Sequence, residues 1–405
     1  MVILRLNQVD ATLLLNQNEL RLMDVNRNWW SMAQAFINTK MLTWARERAN
    51  LSTSYIALKM KKDPELIERW ENGTRPITFN EAQKFADLTH TPFGCLYLDE
   101  PNVETLPIPD RRTVGSRDID VSVELRDTLS DVMIKIDWYK EYSIESGLDT
   151  VELVGKYNKN TVYTTLVNEL RNKLRVTIPP RTGKWEDFFS TLIKEVERNG
   201  ILVMKNGVVK NNTHRPISVD DFRGFCIADK RAPVIFINNN DAKSAQLFTL
   251  IHELSHLMIG ESAISDLAYQ AKSSEEVLCN AVAAEYLVPE SIFKEQWVRT
   301  EDWEENIPHL INLFKVSRWV VARRALSLGY IRDDEYLSYV RRINDKTPGG
   351  GGSYPRTQKG RVSETFAKAV VTQALEGKLL LREAQRLTGI RPSKLNEFAQ
   401  KELGL

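Results

Sequence analysis

Residues 250–258 read LIHELSHLM, an apolar stretch that carries two histidines four positions apart. Residues four apart lie on the same face of an α-helix, so His252 and His256 would point in one direction and could share one ion. The apolar residues around them follow i, i+3, i+4 spacing, which predicts that this helix is buried against a core. The stretch therefore predicts a buried helix that carries a metal site and stops at Gly260.

Glu253 directly follows the first histidine of this stretch. It lies about a third of a turn from His252, too close in sequence to join the two histidines as a ligand. From there it would reach a water on the metal, so the pattern is H-E-x-x-H, with two ligands and one general base. The alternative interpretation is a helix whose histidines are satisfied by carboxylates.

The next predicted helix, from about 274 to 287, is the natural source of a third ligand. It lies within SSEEVLCNAVAAEYLVP at 273–289 and is closed by Pro289. A catalytic zinc site needs a third protein ligand and an open position, and Glu276 is the best candidate. Asn280 lies four residues on, on the same helical face, where it would hydrogen-bond a ligating histidine.

Other interpretations of this helix stay open. Ser273 and Glu276 also fit a capping box, in which the glutamate would only close the start of the helix. Glu275 and Glu285 are neighbouring alternatives as the third ligand. We interpret Cys279 as a small buried residue rather than a ligand.

Three short segments before the H-E-x-x-H helix are rich in β-forming residues and bounded by turn residues. They are 201–205, 221–228 and 232–239, and we predict a strand in each. Either 222–228 or 232–238 could be a sheet edge that holds an extended peptide by strand addition. The alternative is that both strands lie inside a core sheet.

HELSH followed by EVLCNAVAAEYLVP resembles the ImmA/IrrE family of zinc-dependent metallo-endopeptidases, and FRGFCIADKRAPVIFIN at 222–238 is similar to that family's strands. The resemblance implies a zincin-like (gluzincin) domain with a small sheet and an HExxH helix. It implies Zn²⁺ as cofactor, with His252, His256 and Glu276 as ligands. Glu253 would be the general base on a zinc-bound water.

The resemblance also implies a function: a hydrolase that cleaves a regulatory protein, such as a transcriptional repressor or a toxin partner in a toxin–antitoxin system. An alternative is an antitoxin-like or regulatory binding protein that sequesters its partner without turnover. Another is a DNA-binding autoregulator with a structural zinc. Glu253 favours the peptidase, because pure binding would not need a base. The donor to the developing oxyanion stays open among Tyr286, Tyr269, His309 and His214.

The N-terminal part reads MLTWARERANLSTSYIALKMKKDPELIERWENG at 41–73, with capping and turn residues at short intervals. It resembles the Xre-type helix-turn-helix. This resemblance implies a five-helix module that regulates transcription and whose third helix enters the major groove. That helix, DPELIERWE, carries four acidic residues and one arginine, which phosphates would repel. Protein contacts, or a DNA site completed in a homodimer, are therefore alternatives. Lys59, Lys61, Lys62 and Arg69 are the candidate DNA or partner contacts.

The last part of the chain follows a glycine run at 347–355. Residues 354–405 contain ten Lys or Arg against five Glu. The segment 379–399 consists of a helix, a Gly turn and a helix, which resembles a second helix-turn-helix. The alternative is a helical hairpin that docks on the peptidase domain.

The predicted fold class is α+β and mostly helical. The predicted domains are a 1–36 N-terminal extension, a 37–100 helix-turn-helix, a 101–120 linker, a 121–345 peptidase domain (helical lead 121–200, catalytic core 201–345), and a 346–405 Gly-rich linker with a C-terminal helical hairpin.

Composition excludes several function classes. The 405 residues carry a formal net charge of +1, so no global field attracts nucleic acid or membrane. The three cysteines are too few for a disulfide framework and fit a reducing compartment. No apolar run approaches transmembrane length and no signal peptide is visible, so we expect a cytoplasmic protein without a membrane partner.

Overall fold

The computed structural model describes residues 33–101, 106, 108, 121–180, 183–265, 273–344 and 361–404. The chain divides into two compact units, Met1–Glu104 and Thr105–Leu405. Helices predominate and a small sheet lies in the second unit, so the α+β, mostly helical class is confirmed. Among the described residues, no helix is long and apolar enough to cross a membrane. Residues 1–32 of the predicted N-terminal extension, most of the 101–120 linker and the glycine run lie outside these residues.

The N-terminal unit is a small helical bundle. Its elements are α1 Thr39–Arg48, α2 Thr53–Met60, α3 Pro64–Glu71, α4 Phe79–Leu88 and a 3₁₀ turn at Phe93–Tyr97. The five predicted helices are therefore four α-helices and one 3₁₀ turn within the described part of this unit. The Ser52 side chain accepts from the Tyr55 amide and caps α2, and Asp63 caps α3. Trp70 and Phe85 lie in the core.

The second unit begins with three helices and continues into alternating strands and helices. Its elements are α5 Val123–Glu145, α6 Tyr163–Leu174, α7 Trp185–Arg198, β1 Leu202–Asn206, β2 Gly224–Ile227, β3 Val234–Asn238, α8 Lys243–Met258, β4 Ala263–Ser265, α9 Ser274–Leu287, α10 Glu290–Gln296, α11 Ile307–Phe314, α12 Arg318–Ser327, α13 Asp333–Asn344, α14 Glu364–Leu375, α15 Leu381–Thr388 and α16 Leu395–Phe398.

The described strands form one sheet of order β1-β3-β2-β4. β1 pairs with β3 in parallel, whereas β2 is antiparallel to both β3 and β4. The three predicted strands are confirmed. The interpretation of 222–228 or 232–238 as a sheet edge is wrong, because β2 and β3 each have a partner on both sides. Every residue of these two strands is buried, as expected for interior strands.

The two faces of the sheet pack against different helices. Val203, Ile235 and Ile237 face the core that contains α8. Their neighbours Met204 and Phe236 face a second core, because side chains alternate along a strand. Apolar residues of α5 and of the C-terminal helices fill this second core. The C-terminal segment therefore docks on the sheet, one of the two arrangements that the sequence left open.

The end of α8 is held by the chain that follows α5. The backbone amides of Gly155 and Tyr157 donate to the carbonyls of Leu257 and Met258, each at 2.9 Å. These carbonyls belong to the last turn of the helix. Carbonyls in that turn lack the intrahelical N–H donors that pair with earlier carbonyls. Gly260 then adopts a φ of +75°, the left-handed conformation that ends a helix and that glycine adopts without strain. The predicted stop at Gly260 is where the helix ends.

Candidate metal centre

Helix α8 carries its polar motif inside the core rather than at the surface. His252, Glu253 and His256 are all fully buried. One side of the helix packs on β2 and β3, and another side packs on α9. Burying three ionisable groups in one helix is costly unless they are paired or bind a metal. The burial of the motif therefore indicates that these three groups are paired or bind a metal.

Glu276, in the first turn of α9, completes the group. Its Oε2 lies 3.2 Å from Nε2 of His252, and its Oε1 lies 3.1 Å from Nε2 of His256. The two Nε2 atoms are 3.1 Å apart. Ser273 caps α9 by accepting from the Glu276 amide. The carboxylate of Glu276 is turned toward the histidines, so this residue does not act as a cap alone.

These three residues fit one tetrahedral metal ion. Zinc binds histidine nitrogen and carboxylate oxygen at about 2.0–2.2 Å, so two ligands of a tetrahedral site lie about 3.3 Å apart. The separations of 3.1 and 3.2 Å agree with that value. Two imidazole nitrogens and a carboxylate converge on one point, which is the donor set of a catalytic zinc site with a fourth position open.

The electrostatics of the group follow from its burial and its pairing. Burial alone would raise the pKa of Glu276, but hydrogen bonds and charge from both histidines hold this pKa well below its usual range. Burial alone would lower the pKa of His252, but the Glu276 carboxylate outweighs it and raises this pKa. Glu276 is thus held as an anion, which is the form that binds a cation.

Comparison with known protein families agrees with this geometry. Residues 196–326 match the family model of the IrrE N-terminal-like domain, peptidase family M78. This part of the chain belongs to the ImmA/IrrE family. The match includes both helices of the metal centre and β1 to β4. Residues 362–401, which comprise the C-terminal helices, match a domain of unknown function, DUF8813. No curated protein matches the chain significantly.

Glu253 of the ImmA/IrrE domain lies against β2. An added Cβ on Gly224 would be 3.3 Å from Oε1 of Glu253. The Cys226 thiol lies on the same strand, and burial raises its pKa, with a further contribution from the Glu253 charge. Glu253 therefore projects between the sheet and the metal ligands. Gly224 and Cys226 were not singled out from the sequence, although a glycine inside a strand is a known sign of close backbone approach.

The neighbouring carboxylates of the ImmA/IrrE domain pair elsewhere. Glu275 lies 3.1 Å from the Lys159 ammonium. Glu285 forms a salt bridge with Arg324. The metal-ligating cluster among the described residues contains Glu276 and neither of these two. Cys279 is buried, as expected for a small core residue.

Asn280 is placed beside the histidine that it was predicted to contact. Its amide forms a hydrogen bond with His252 that contributes to the raised pKa of this imidazole. Within the described part of the chain, Nδ1 of His252 has no hydrogen-bond partner. In a metal-bound histidine, the ring nitrogen that does not bind the metal normally donates a hydrogen bond to a neighbouring group.

The candidates for the oxyanion donor lie elsewhere. Tyr286 is fully buried and follows Glu276 by ten residues on α9, about 15 Å along the helix axis. The His309 ring contacts Gln296 at 2.9 Å, and His214 is exposed. Tyr269 lies outside the described residues. The structure brings none of the three described candidates into the metal-ligating cluster.

The basic residues proposed as DNA or partner contacts are mostly engaged within the N-terminal unit. Lys62 pairs with Glu81 at 2.7 Å, and Arg69 pairs with Glu65 at 3.0 Å. The Lys59 ammonium lies 5.4 Å from the centre of the Tyr55 ring. Lys61 is exposed at the left-handed end of α2. Two of the four candidate contacts are thus paired with carboxylates, while Lys59 and Lys61 are exposed.

Proposed function

We propose that the chain is a zinc-dependent metallo-endopeptidase that cleaves a regulatory protein, such as a transcriptional repressor or a toxin partner. The convergence of His252, His256 and Glu276 at 3.1–3.2 Å carries this proposal. Glu253 comes from the same turn of α8 as the two histidines and is buried beside them. A structural zinc site would not need a buried carboxylate in addition to its ligands.

The chain supplies the ligands and the base for hydrolysis. Zinc held by these three residues would lower the pKa of water toward ~7 and polarise the scissile carbonyl. The Glu253 carboxylate accepts the proton of the attacking water and returns it to the leaving amine. Burial strengthens its interactions with the reacting groups, because the surroundings of α8 have a low dielectric constant.

Strand β4 is our proposed docking strand for an extended substrate. β4 pairs with β2 at the end of the described sheet order and also contacts α8. A peptide added beside a strand is held through its backbone, which suits a protein substrate. β4 takes this role because β2 and β3 already have partners on both sides.

Two substitutions test the ligand assignment in the full-length chain. Glu276→Gln replaces an anionic ligand with a neutral amide, and we expect zinc measured by elemental mass spectrometry to fall from about one ion per chain to near zero. Glu275→Gln is the matched control, because its carboxylate pairs with Lys159. Zinc retained in Glu276→Gln, or lost equally in both variants, would contradict the assignment.

A third substitution distinguishes cleavage of a partner from binding of that partner without cleavage. Glu253→Gln keeps the ligands but removes the base, so we expect full zinc content and a loss of turnover of about 10²-fold or more. Incubation of each protein with an extract of its host, followed by mass spectrometry of new N-termini, measures turnover. New termini that appear equally with wild type and Glu253→Gln would overturn the peptidase. Full biological activity of this variant would favour the antitoxin-like alternative, in which a partner is sequestered without cleavage.

The helix-turn-helix role of residues 37–100 stays a prediction. If DNA binds there, we expect a salt-dependent shift of operator DNA that is lost when residues 1–104 are removed. A shift that survives this deletion would assign DNA binding to the second unit.

A further inference from the structure

A cleft lies on the face of the sheet opposite to the metal centre. It is bounded by α5, the loop after β1, the residues just before α14 and helix α15, and its empty volume is about 480 Å³, counting space open to solvent. Met204 and Phe236 form part of its floor. These two residues belong to the second core, so the sheet separates the cleft from α8. The cleft is therefore distinct from the site proposed for hydrolysis.

Positive charge is concentrated in this cleft. Among its lining residues, four are basic and one is acidic: Lys135, Lys210, Arg361, Arg386 and Asp131. They come from three separate parts of the chain, although the whole chain has a formal net charge of only +1. The fold thus assembles a local excess of positive charge from residues that are distant in sequence.

Lys135 shows that the charge is held in a costly position. Only 7% of its side chain is exposed, and it forms a salt bridge with Asp131, which lies one helical turn away and also lines the cleft. Burial lowers the pKa of Lys135, and the positive charge of Lys210 lowers it further, while Asp131 opposes both. The ammonium groups of Lys135 and Lys210 repel each other across the cleft, and an anion between them would stabilise both.

The local structure holds the other basic groups at the rim. The Asn206 side chain donates to the carbonyl of Lys210 at 2.6 Å, and Lys210 adopts a left-handed φ of +53°. Arg361 donates to the Asn211 side chain at 3.0 Å. These contacts tie the loop after β1 to the start of the C-terminal segment. The backbone at the rim is held by these contacts, whereas Lys210 and Arg386 are exposed, and Arg386 also pairs with Glu383 at 2.9 Å.

We propose that this cleft binds a small ligand that carries a phosphate group. Arginine binds phosphate through paired hydrogen bonds and lysine binds it as a point charge, and both are present. Because Arg361, Val362 and the end of α15 form one wall, a bound ligand would bridge the C-terminal segment and the sheet. The site would thereby connect a metabolite signal to the domain that carries the metal centre.

Titration calorimetry of the full-length chain tests this proposal, with inorganic phosphate and AMP as probes. We expect saturable binding of AMP, of inorganic phosphate, or of both, at millimolar concentration or below. Arg386→Gln and Lys210→Gln should each weaken binding about ten-fold, because each removes one charge-assisted contact. Both side chains belong to exposed residues, so neither change should prevent folding.

Arg382→Gln is the matched control. Arg382 lies one turn before Arg386 on the same helix, is exposed, and is not a lining residue of the cleft. Equal weakening by Arg382→Gln and Arg386→Gln would reveal a general surface effect and overturn the proposal. So would binding that survives both cleft variants, since it would lie at the metal centre, or binding of duplex DNA but of neither small probe. Absence of binding by both probes would also overturn it.

Discussion

Gly224 sets how closely α8 approaches the sheet. A Cβ at this position would lie 2.4 Å from Cγ2 of Thr249 and 2.9 Å from the backbone oxygen of Phe236. Thr249 lies one turn before Glu253 on α8, and Phe236 lies on the neighbouring strand. A larger residue would push the helix away from β2, because the strand backbone cannot yield. The spacing of the metal ligands therefore depends on the absence of one side chain.

Gly224→Ala should lower the free energy of unfolding by about 1–3 kcal/mol, as expected for overpacking in a core. It should also weaken zinc binding, because His252 and His256 move with α8. Thermal unfolding and zinc titration measure the two effects. Gly94→Ala is the control, since an added Cβ there meets no atom within 4 Å. Unchanged zinc affinity in Gly224→Ala would show that α8 does not move.

Part of the site could be predicted from the spacing of residues along the sequence. H-E-x-x-H places His252 and His256 on one helical face whatever the rest of the fold does. The contact of Glu276 with both histidines needed two helices to pack together, and only the family resemblance supplied that. The role of Gly224 could not be predicted, because it depends on Thr249 and Phe236, which are distant in sequence.

Among the elements, α7 and α14 are joined by one buried carboxylate. Glu197, near the end of α7, accepts from the backbone amides of Glu364 and Thr365 at 3.2 Å. These are the first amides of α14, which have no partner within the helix. The same carboxylate also accepts from the amide of Val203 in β1, at 3.4 Å. Glu197 thus connects the C-terminal segment to the sheet that it covers.

Glu197→Ala should lower the free energy of unfolding by about 3 kcal/mol, because several buried donors lose their acceptor at once. Chemical denaturation of the full-length chain measures this change. Glu186→Ala, which removes an exposed carboxylate from the same helix, should leave the denaturation midpoint near the wild-type value. An equally small effect of Glu197→Ala would mean that water replaces the carboxylate.

At the scale of the elements, local sequence signals predicted where helices end, but they did not predict which strands pair. Ser52, Asp63 and Gly260 predicted helix ends because capping depends only on neighbouring residues. The order of the strands was beyond reach of the sequence. β1 lies beside β3, and β4 covers the outer side of β2. Neither pairing has a signature within the strands themselves, so both interior strands were open to interpretation as edges.

At the scale of the whole molecule, the two units have separate cores. The core of the N-terminal unit consists of residues between Ala35 and Leu96. The two other cores, the metal centre and the cleft all lie in Thr105–Leu405. A contact cluster that is complete within one unit can be stable without the other.

Two truncations test this division. Removal of residues 1–104 should leave zinc stoichiometry and turnover unchanged, because no ligand and no residue of the second unit's cores is lost. Removal of residues 361–405 should give an insoluble or strongly destabilised protein, because Phe366 and Val370 are fully buried against the sheet. Zinc content and solubility of the two products measure the outcome. A soluble, active product of the second truncation would contradict the docked arrangement.

The docked C-terminal helices have a consequence for the synthesis of the protein. The proposed metal ligands His252, His256 and Glu276 are all translated well before residues 361–404, which close the far side of the sheet. Until this last segment leaves the ribosome, the apolar side chains of β1, β2 and β3 that face it have no cover from α14. A nascent chain in this state exposes a surface to which chaperones or other chains bind. This face of the sheet is therefore covered only after residues 361–404 have been synthesised.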